Sequence, residues 1–330
     1  MREFIINKND SGQRLDKFLQ KAVPKLPKSL LYKYIRLKRI KLNGKRCQNA
    51  DFLKENDVLA LYINDEFFEN EQVTVAEESE LMKIKTEPVI VYEDDNIIIA
   101  YKPVGMDVHR GSEKNKETLI DIIKAYLFRK GDYSPSEESS FSPAVCNRLD
   151  RNTTGLVIAA KNAAALREIN ESIRERLISK TYLCVCVGTL KSKHAVCEAY
   201  HRKGQHNLVN IRKDKAEGYK KIITEYTVLE EKGGLSLCEI NLITGRTHQI
   251  RAHLAFLGAP VLGDGKYGNV AVNKRKTVFH QQLCAYSLGF TAKKGSLLEY
   301  LDGKRFVSPL TGFVCENFKI KNTQTAIDLE

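Results

Sequence analysis

Hydrophobic residues return along this chain with two different periods, and the switch between them marks its elements. Near the N-terminus Leu15, Phe18, Leu19 and Ala22 stand at i, i+3, i+4 and i+7, one stripe of a helix that Ser11 is placed to cap. Pro24 and Pro27 interrupt the chain, and Ser29 is placed to cap a second helix with Leu30, Leu31, Tyr34 and Ile35 on its apolar side. Short strands are expected over residues 4–6, 40–42 and 58–63, with Asn43-Gly44 as a hairpin turn because both residues tolerate positive φ. Further on, residues 89–92 and 97–101 read as two strands, the second stopped by Lys102-Pro103. Residues 156–160 form an apolar strand, and Asn162 caps a helix carrying Leu166, Ile169, Ile173 and Leu177 on one face. In the strand over 181–187 the period is two, with Tyr182, Cys184 and Cys186 on one side and Leu183, Val185 and Val187 on the other. Residues 222–229 and 235–243 make a hairpin about Gly233-Gly234, and a helix from about 247 to 257 points Ile250, Leu254 and Leu257 inward before Gly258 ends it. The pattern predicts an α+β fold: a large domain with a mixed, largely antiparallel sheet, and a small α/β module in front of it.

The module is expected over residues 1–64, an acidic linker of little periodicity over 65–87, and the large domain over 88–330. Within the large domain, residues 130–141 read as a surface loop rich in Ser, Gly and charge. A chain with 42% hydrophobic and 28% charged residues is neither disordered nor collagen-like. Lys and Arg number 53 against 41 acids, a formal charge of +12, which suggests a polyanionic partner and most simply a nucleic acid. Met1 is followed by no apolar stretch of signal-peptide length, and no run approaches the ~18 apolar residues of a spanning helix. The protein therefore reads as cytoplasmic, monomeric and without a membrane partner. None of the eight cysteines, Cys315 included, stands in a C-x-x-C pair, an even count without a secretory signal is weak evidence for disulfides, and Cys184 and Cys186 read as small buried hydrophobes rather than metal ligands.

From Lys25 to Arg46 there are nine Lys or Arg and no acid. Lys33, Arg36, Lys38, Arg39, Lys45 and Arg46 are the candidate phosphate contacts of one positive face, although a solvated basic face has the same composition. Asp150 stands between Arg148 and Arg151 in a loop that runs through Thr153, Thr154 and Gly155 into a strand. An arginine beside a carboxylate favours its ionised form, so Asp150 suits a nucleophile, and equally a plain local ion pair. Tyr182, at the head of its strand, fits either a core position or a ring that stacks on a base or moves a proton. The run from Thr244 to His253 places Arg246, His248 and Arg251 at a helix start, polar groups suited to an anion. His248 and His253 lack the i,i+4 spacing of a helical zinc pair, and no third ligand is evident, so no metal is expected. Gly263-Asp-Gly-Lys-Tyr-Gly268 is a literal G-x-G-x-x-G, but it follows a helix rather than a strand and does not read as a dinucleotide loop.

Two resemblances order these fragments. Gly12-Gln-Arg-Leu-Asp16, Tyr34-Ile-Arg36 and Ile40-Lys-Leu-Asn-Gly-Lys45 resemble the S4 RNA-binding domain. The succession of Tyr101-Lys-Pro-x-Gly105, Arg148-Leu-Asp150-x-x-Thr-Thr-Gly155, Lys180-Thr-Tyr182, Gly245-Arg-Thr-His-Gln-Ile-Arg251 and Gly258-x-Pro-x-x-Gly-Asp264-x-x-Tyr267 resembles the RluA family of pseudouridine synthases, over about residues 88–290. The resemblance implies an RNA isomerase that turns uridine into pseudouridine with no metal and no small-molecule cofactor. Asp150 would be the catalytic carboxylate, Tyr182 would stack on the uracil and serve as general base, and Arg251 would pair with Asp150. Arg148 would fill the gap left by the extracted base or meet a phosphate. An S4-like module in front fits the large-subunit rRNA branch and so 23S rRNA. A transfer-RNA substrate, or a non-catalytic assembly factor, remains the alternative. Asn147 replaces the usual histidine before Arg148, and Thr154 the usual serine of the turn.

Overall fold

The computed structural model describes residues 1–68, 71–110, 116–204 and 208–309 with Gly312 and Phe318, the side chains of 71–74 excepted; Cys315 lies outside the described residues. The N-terminal part comprises β1 (Arg2–Ile5), α1 (Leu15–Ala22), α2 (Lys28–Arg36), β2 (Ile40–Leu42), β3 (Lys45–Arg46) and β4 (Val58–Leu61). Its sheet runs β1-β4-β2-β3, and Leu15, Phe18 and Leu19 of α1 meet Leu31 and Ile35 of α2 over it. Asn43 and Gly44 take φ of 50° and 73°, as the two-residue turn between β2 and β3 requires. Neither serine caps its helix. Arg14 and Pro27 hold the N-cap positions, and Ser29 lies inside α2. Ser11 Oγ instead donates to Lys8 O within its own turn. The fixed φ of Pro27 suits the residue just before a helix, so α2 starts earlier than its serine.

The larger part comprises α3 (Glu71–Lys83), β5 (Val89–Glu93), β6 (Ile97–Lys102), α4 (Leu119–Lys130), β7 (Ala144–Val145), β8 (Thr154–Ala160), α5 (Ala163–Arg174), β9 (Ile178–Val187), β10 (His194–Lys203), β11 (Val209–Arg212), β12 (Lys220–Lys232), β13 (Leu235–Leu242), α6 (Gln249–Phe256), α7 (Val270–Lys276), β14 (Leu283–Phe290) and β15 (Arg305–Val307). One sheet of eleven strands runs β11-β10-β12-β13-β9-β14-β8-β6-β5, with β7 on β8 and β15 on β14. The pairing of β14 with β8 is parallel and the other described pairings are antiparallel. The fold is α+β with a largely antiparallel sheet, as the residue pattern predicts.

Alternation along β9 sorts its side chains onto two cores. Tyr182, Cys184 and Cys186 pack with Ile250 and Leu254 of α6, and Leu183 and Val185 pack with Leu262 and Phe318. Asn162 caps α5 by accepting the Ala165 N–H at 2.8 Å. That helix ends at Arg174, and Arg176 at φ 64° turns the chain toward β9, so Leu177 is not on the helix face. The acidic stretch 65–87 is more ordered than an aperiodic linker. It holds the helix α3, whose Leu81, with Ile84 beyond it, is buried against Leu119, Ile122 and Ile123 of α4. Val75 and Met82 stay exposed, so the buried stripe is too short to leave a readable repeat. The 130–141 loop buries Tyr133 and Phe141 and joins the N-terminal part. Ser140 Oγ accepts from Gln13 Nε2 at 2.8 Å and donates to Asp10 Oδ1 at 2.6 Å.

Two features of this frame bear on the site. Gly155, the second residue of β8, takes φ 113°, and a Cβ there would stand 2.2 Å from Ala285 O, so only glycine lets β8 run this close to β14. His253 of α6 is fully buried; its Nδ1 lies 3.0 Å from Thr224 Oγ1 and its Nε2 has no partner among the described residues. Burial pulls its pKa down to about 4 from an ordinary value of 6.5. Between those values the unfolded chain binds a proton that the folded chain refuses. This group's contribution is therefore complete above pH 6.5 and is lost as the pH falls toward 4, at most about 3 kcal/mol. We expect His253→Gln to flatten the acid limb of a plot of urea midpoint against pH. Parallel limbs for the two proteins would contradict this.

Candidate active site

Three segments that are distant in sequence line one cavity, the loop before β8, the head of β9 and the start of α6, and the turn at 263–268 reaches it through Arg251. The loop is held from several sides. Asn147 docks on β8 as a strand residue would, its Oδ1 accepting the Ile158 N–H at 2.8 Å and its Nδ2 donating to Leu156 O at 3.2 Å. This gives the residue in place of the histidine a scaffolding role, and it leaves Asp150 untouched. Lys102, fully buried, donates from Nζ to Pro103 O, Met106 O and Arg151 O at 2.9, 2.8 and 2.9 Å. It ties the Lys-Pro turn to the residue after Asp150, and burial lowers its pKa to about 8. Thr153 Oγ1 accepts from Gln281 Nε2 at 3.1 Å, which fastens the far end of the loop.

Asp150 is thus presented on a fixed loop, with its side chain 29% exposed. Its Oδ2 accepts from Arg251 Nη1 at 2.8 Å. The guanidinium of Arg251 is buried and is gripped from the other side by Asp264. Nε donates to Asp264 Oδ2 at 2.6 Å and Nη2 donates to Oδ1 at 2.8 Å. Asp264 is wholly buried, and its Oδ1 also accepts the backbone N–H groups of Lys266 and Tyr267 at 2.8 and 3.1 Å. Two parallel N–H···O bonds fix a guanidinium in both direction and plane, which a single ammonium contact does not. Burial works against the charge on Arg251, but its bonds to Asp264 and Asp150 outweigh that and raise its pKa. In Asp264 burial likewise pushes the pKa up, and Arg251 and the backbone amides bring it below the usual carboxylate value.

Around this clamp the other expected residues assemble. Tyr182 is buried beside Asp150, and burial first, then the Asp150 charge, raises its pKa, so the ring stands as a neutral phenol. His248 Nε2 lies 3.9 Å from Asp150 Oδ1. Asp150, Tyr182, Arg251, Arg148, Arg246 and His248 all line one cavity of about 560 Å³, in the size range of small-ligand sites. Lys33, Arg36, Lys38, Arg39, Lys45 and Arg46 are exposed on α2, the turn after it and β3, and none of them lines that cavity. Arg39 lies over the Tyr34 ring at 5.4 Å, and no ion pair engages any of the six among the described residues.

Sequence reasoning misses the part played by three residues. Asp264 and Tyr267 sit within the Gly263–Gly268 run, which reads as a failed dinucleotide loop, and nothing in that run marks Asp264 as buried. Lys180, also on the cavity wall, has its pKa lowered by burial and has no ion pair among the described residues. The clamp makes a direct prediction. Asp264→Ala, which leaves Arg251 buried with one carboxylate, is expected to lower the unfolding free energy by about 3–5 kcal/mol in urea denaturation. A loss below ~1 kcal/mol would remove Asp264 from the account.

Comparison with known proteins agrees with this geometry. The RNA pseudouridylate synthase family model matches residues 96–256 and the S4 domain model residues 13–59. An uncharacterized RNA pseudouridine synthase of Mycoplasma capricolum is 33% identical over 313 residues, 92% of this chain and 96% of that protein. The ribosomal large subunit pseudouridine synthase C of Vibrio parahaemolyticus is 32% identical over 265 residues, 80% of this chain and 79% of that protein. Among solved structures, human RNA pseudouridylate synthase domain containing 1 superposes with a TM-score of 0.54 at 22% identity, covering 70% of this chain and 86% of its own, a likeness of fold. By sequence and by fold, this chain belongs to the RNA pseudouridine synthase family, isomerases that act on RNA, and it carries an S4 domain.

Proposed function

We propose that Asp150 is the carboxylate on which the isomerisation turns and that the substrate is large-subunit ribosomal RNA, 23S in bacteria. The observation that carries the first part is the 2.8 Å bond from the doubly held Arg251 to a partly exposed Asp150 at the wall of a nucleotide-sized cavity. The second part draws on the name of the Vibrio relative and on the S4 match.

The reaction breaks the N1–C1′ bond of uridine, turns the uracil and joins C5 to C1′; the hydrogen lost from C5 is balanced by one gained at N1. The target nucleotide must first leave the base stack, which costs a few kcal/mol and is offset by backbone contacts. Arg148, Arg246 and Lys180 at the cavity serve as such contacts, and the six cations of the N-terminal part extend them. Asp150 then either bonds covalently to ribose or base, or assists a glycal intermediate; both routes require one carboxylate aimed at the sugar, and Arg251 does the aiming. A neutral, buried Tyr182 suits stacking on the uracil better than taking up a proton, since a neutral phenol is a weak base.

Asp150→Asn is expected to abolish pseudouridine formation in large-subunit rRNA while RNA affinity stays within about twofold; retained turnover would refute the assignment. An unaltered protein that binds this RNA and modifies none of it would point to an assembly factor. Replacing Lys33, Arg36, Lys38, Arg39, Lys45 and Arg46 with Gln is expected to weaken RNA binding. The slope of log affinity against log salt should then shrink by about 0.7 for each phosphate no longer neutralised. An unchanged slope would take this face out of the RNA footprint.

A further inference from the structure

His248 occupies an unusual position. It precedes α6 at φ 51°, a left-handed conformation that few residues with a side chain adopt. Its two ring nitrogens face different surroundings. Nδ1 lies 2.9 Å from the Tyr267 hydroxyl, whereas Nε2 faces Asp150 Oδ1 at 3.9 Å, too far for a hydrogen bond. The ring lines the cavity, its side chain only 11% exposed.

The hydrogen bonds of Tyr267 favour one tautomer of this ring. Tyr267 Oη accepts the Val209 N–H at 2.9 Å, and an amide N–H can only donate. The hydroxyl has a single proton, and His248 Nδ1 is the remaining bonded partner of that oxygen among the described residues. Directing the phenol proton at Nδ1 gives that proton its acceptor, and it leaves neutral His248 with its own proton on Nε2. Protonating the ring would place a hydrogen on Nδ1 as well and break this arrangement. Burial also disfavours the charged ring, as do Arg251 and Lys266, against the pull of Asp150 and Asp264. Tyr267 is itself held in place: its ring lies under the Arg251 guanidinium at 5.4 Å and edge-on to His248 at 5.8 Å.

We propose that Tyr267 locks His248 as the Nε2–H tautomer, and that this N–H donates to a carbonyl oxygen of the target base beside Asp150. As the glycosidic bond breaks, the departing uracil gathers negative charge on N1 and its carbonyl oxygens. A neutral donor already in place stabilises that charge without any proton changing hands. His248 is then a catalytic residue and Tyr267 a positioning residue. The base contact rests on the reading of Asp150 as the reaction centre; the tautomer lock does not.

Nitrogen-15 NMR of the full-length protein without RNA tests the lock. His248, assigned by its loss in His248→Gln, is expected as Nε2–H, and Tyr267→Phe is expected to give a mixture of tautomers. On a large-subunit rRNA transcript, Tyr267→Phe should lower kcat roughly tenfold with KM within about twofold. His248→Ala should lower kcat roughly a hundredfold, and His248→Gln, which still offers an N–H, should recover part of it. An Nδ1–H ring in the unaltered protein, or a Tyr267→Phe variant with undiminished kcat, overturns the proposal. If the unaltered protein forms no pseudouridine, the base contact falls together with the Asp150 reading, while the lock stands or falls on the spectrum alone.

Discussion

One guanidinium answers to two carboxylates in this protein. Arg251 is nearly dry, and a dry cation is tolerable only where anions meet it with good geometry. Asp264, wholly buried and braced by two backbone amides, takes Nε and Nη2; what is left of the fork can point only one way, at Asp150. The direction of the candidate catalytic carboxylate is therefore braced by a residue that is wholly buried and lies outside the cavity lining. A lysine would keep the charge but not the plane, and the plane is what carries aim from one acid to the other.

Much of the rest of the fold serves to bring this clamp to a cavity. The start of α6 delivers Arg251, the turn after it delivers Asp264, and the loop ahead of β8 delivers Asp150. Gly155 lets that loop enter the sheet against β14, and Lys102 and Asn147 bind it by backbone carbonyls and amides rather than by packing. Buried polar groups are costly unless their bonds are made, so the bonds of Lys102 oppose displacement of the loop.

The fold is legible in the residues where a period or a turn residue acts alone. The stripes of α1, α2 and α5, the alternation along β9 and the Asn43-Gly44 turn can be read from residue spacing because each depends on near neighbours. The caps of α1 and α2 fall to Arg14 and Pro27 instead of serines, and at Pro27 a fixed φ outweighs a side-chain bond. The helix α3 escapes such a reading because, among its described side chains, only Leu81 in the last turn is buried. Of the site, the cavity gathers Asp150, Tyr182, Arg251, Arg148, Arg246 and His248, all named from their motifs. Asp264 and Tyr267 have no readable role, because their meaning lies in a contact to α6 that no local spacing encodes. The raised pKa of Tyr182 is likewise a property of burial, not of the motif around it.

The N-terminal part touches the larger one through Ser140, Asp10 and Gln13, so its basic face is held at a defined place rather than tethered loosely. That arrangement sets the face proposed to hold RNA apart from the proposed reaction centre. The central claim concerns the second, namely that the fork of Arg251 and not merely its charge aims Asp150. Single-turnover kinetics of Arg251→Lys on large-subunit rRNA, measured beside RNA affinity, test it most directly. We predict a rate of pseudouridine formation at least about a hundredfold lower with affinity changed by no more than about twofold. A variant that keeps its rate, or that loses rate only as far as it loses affinity, would contradict the account.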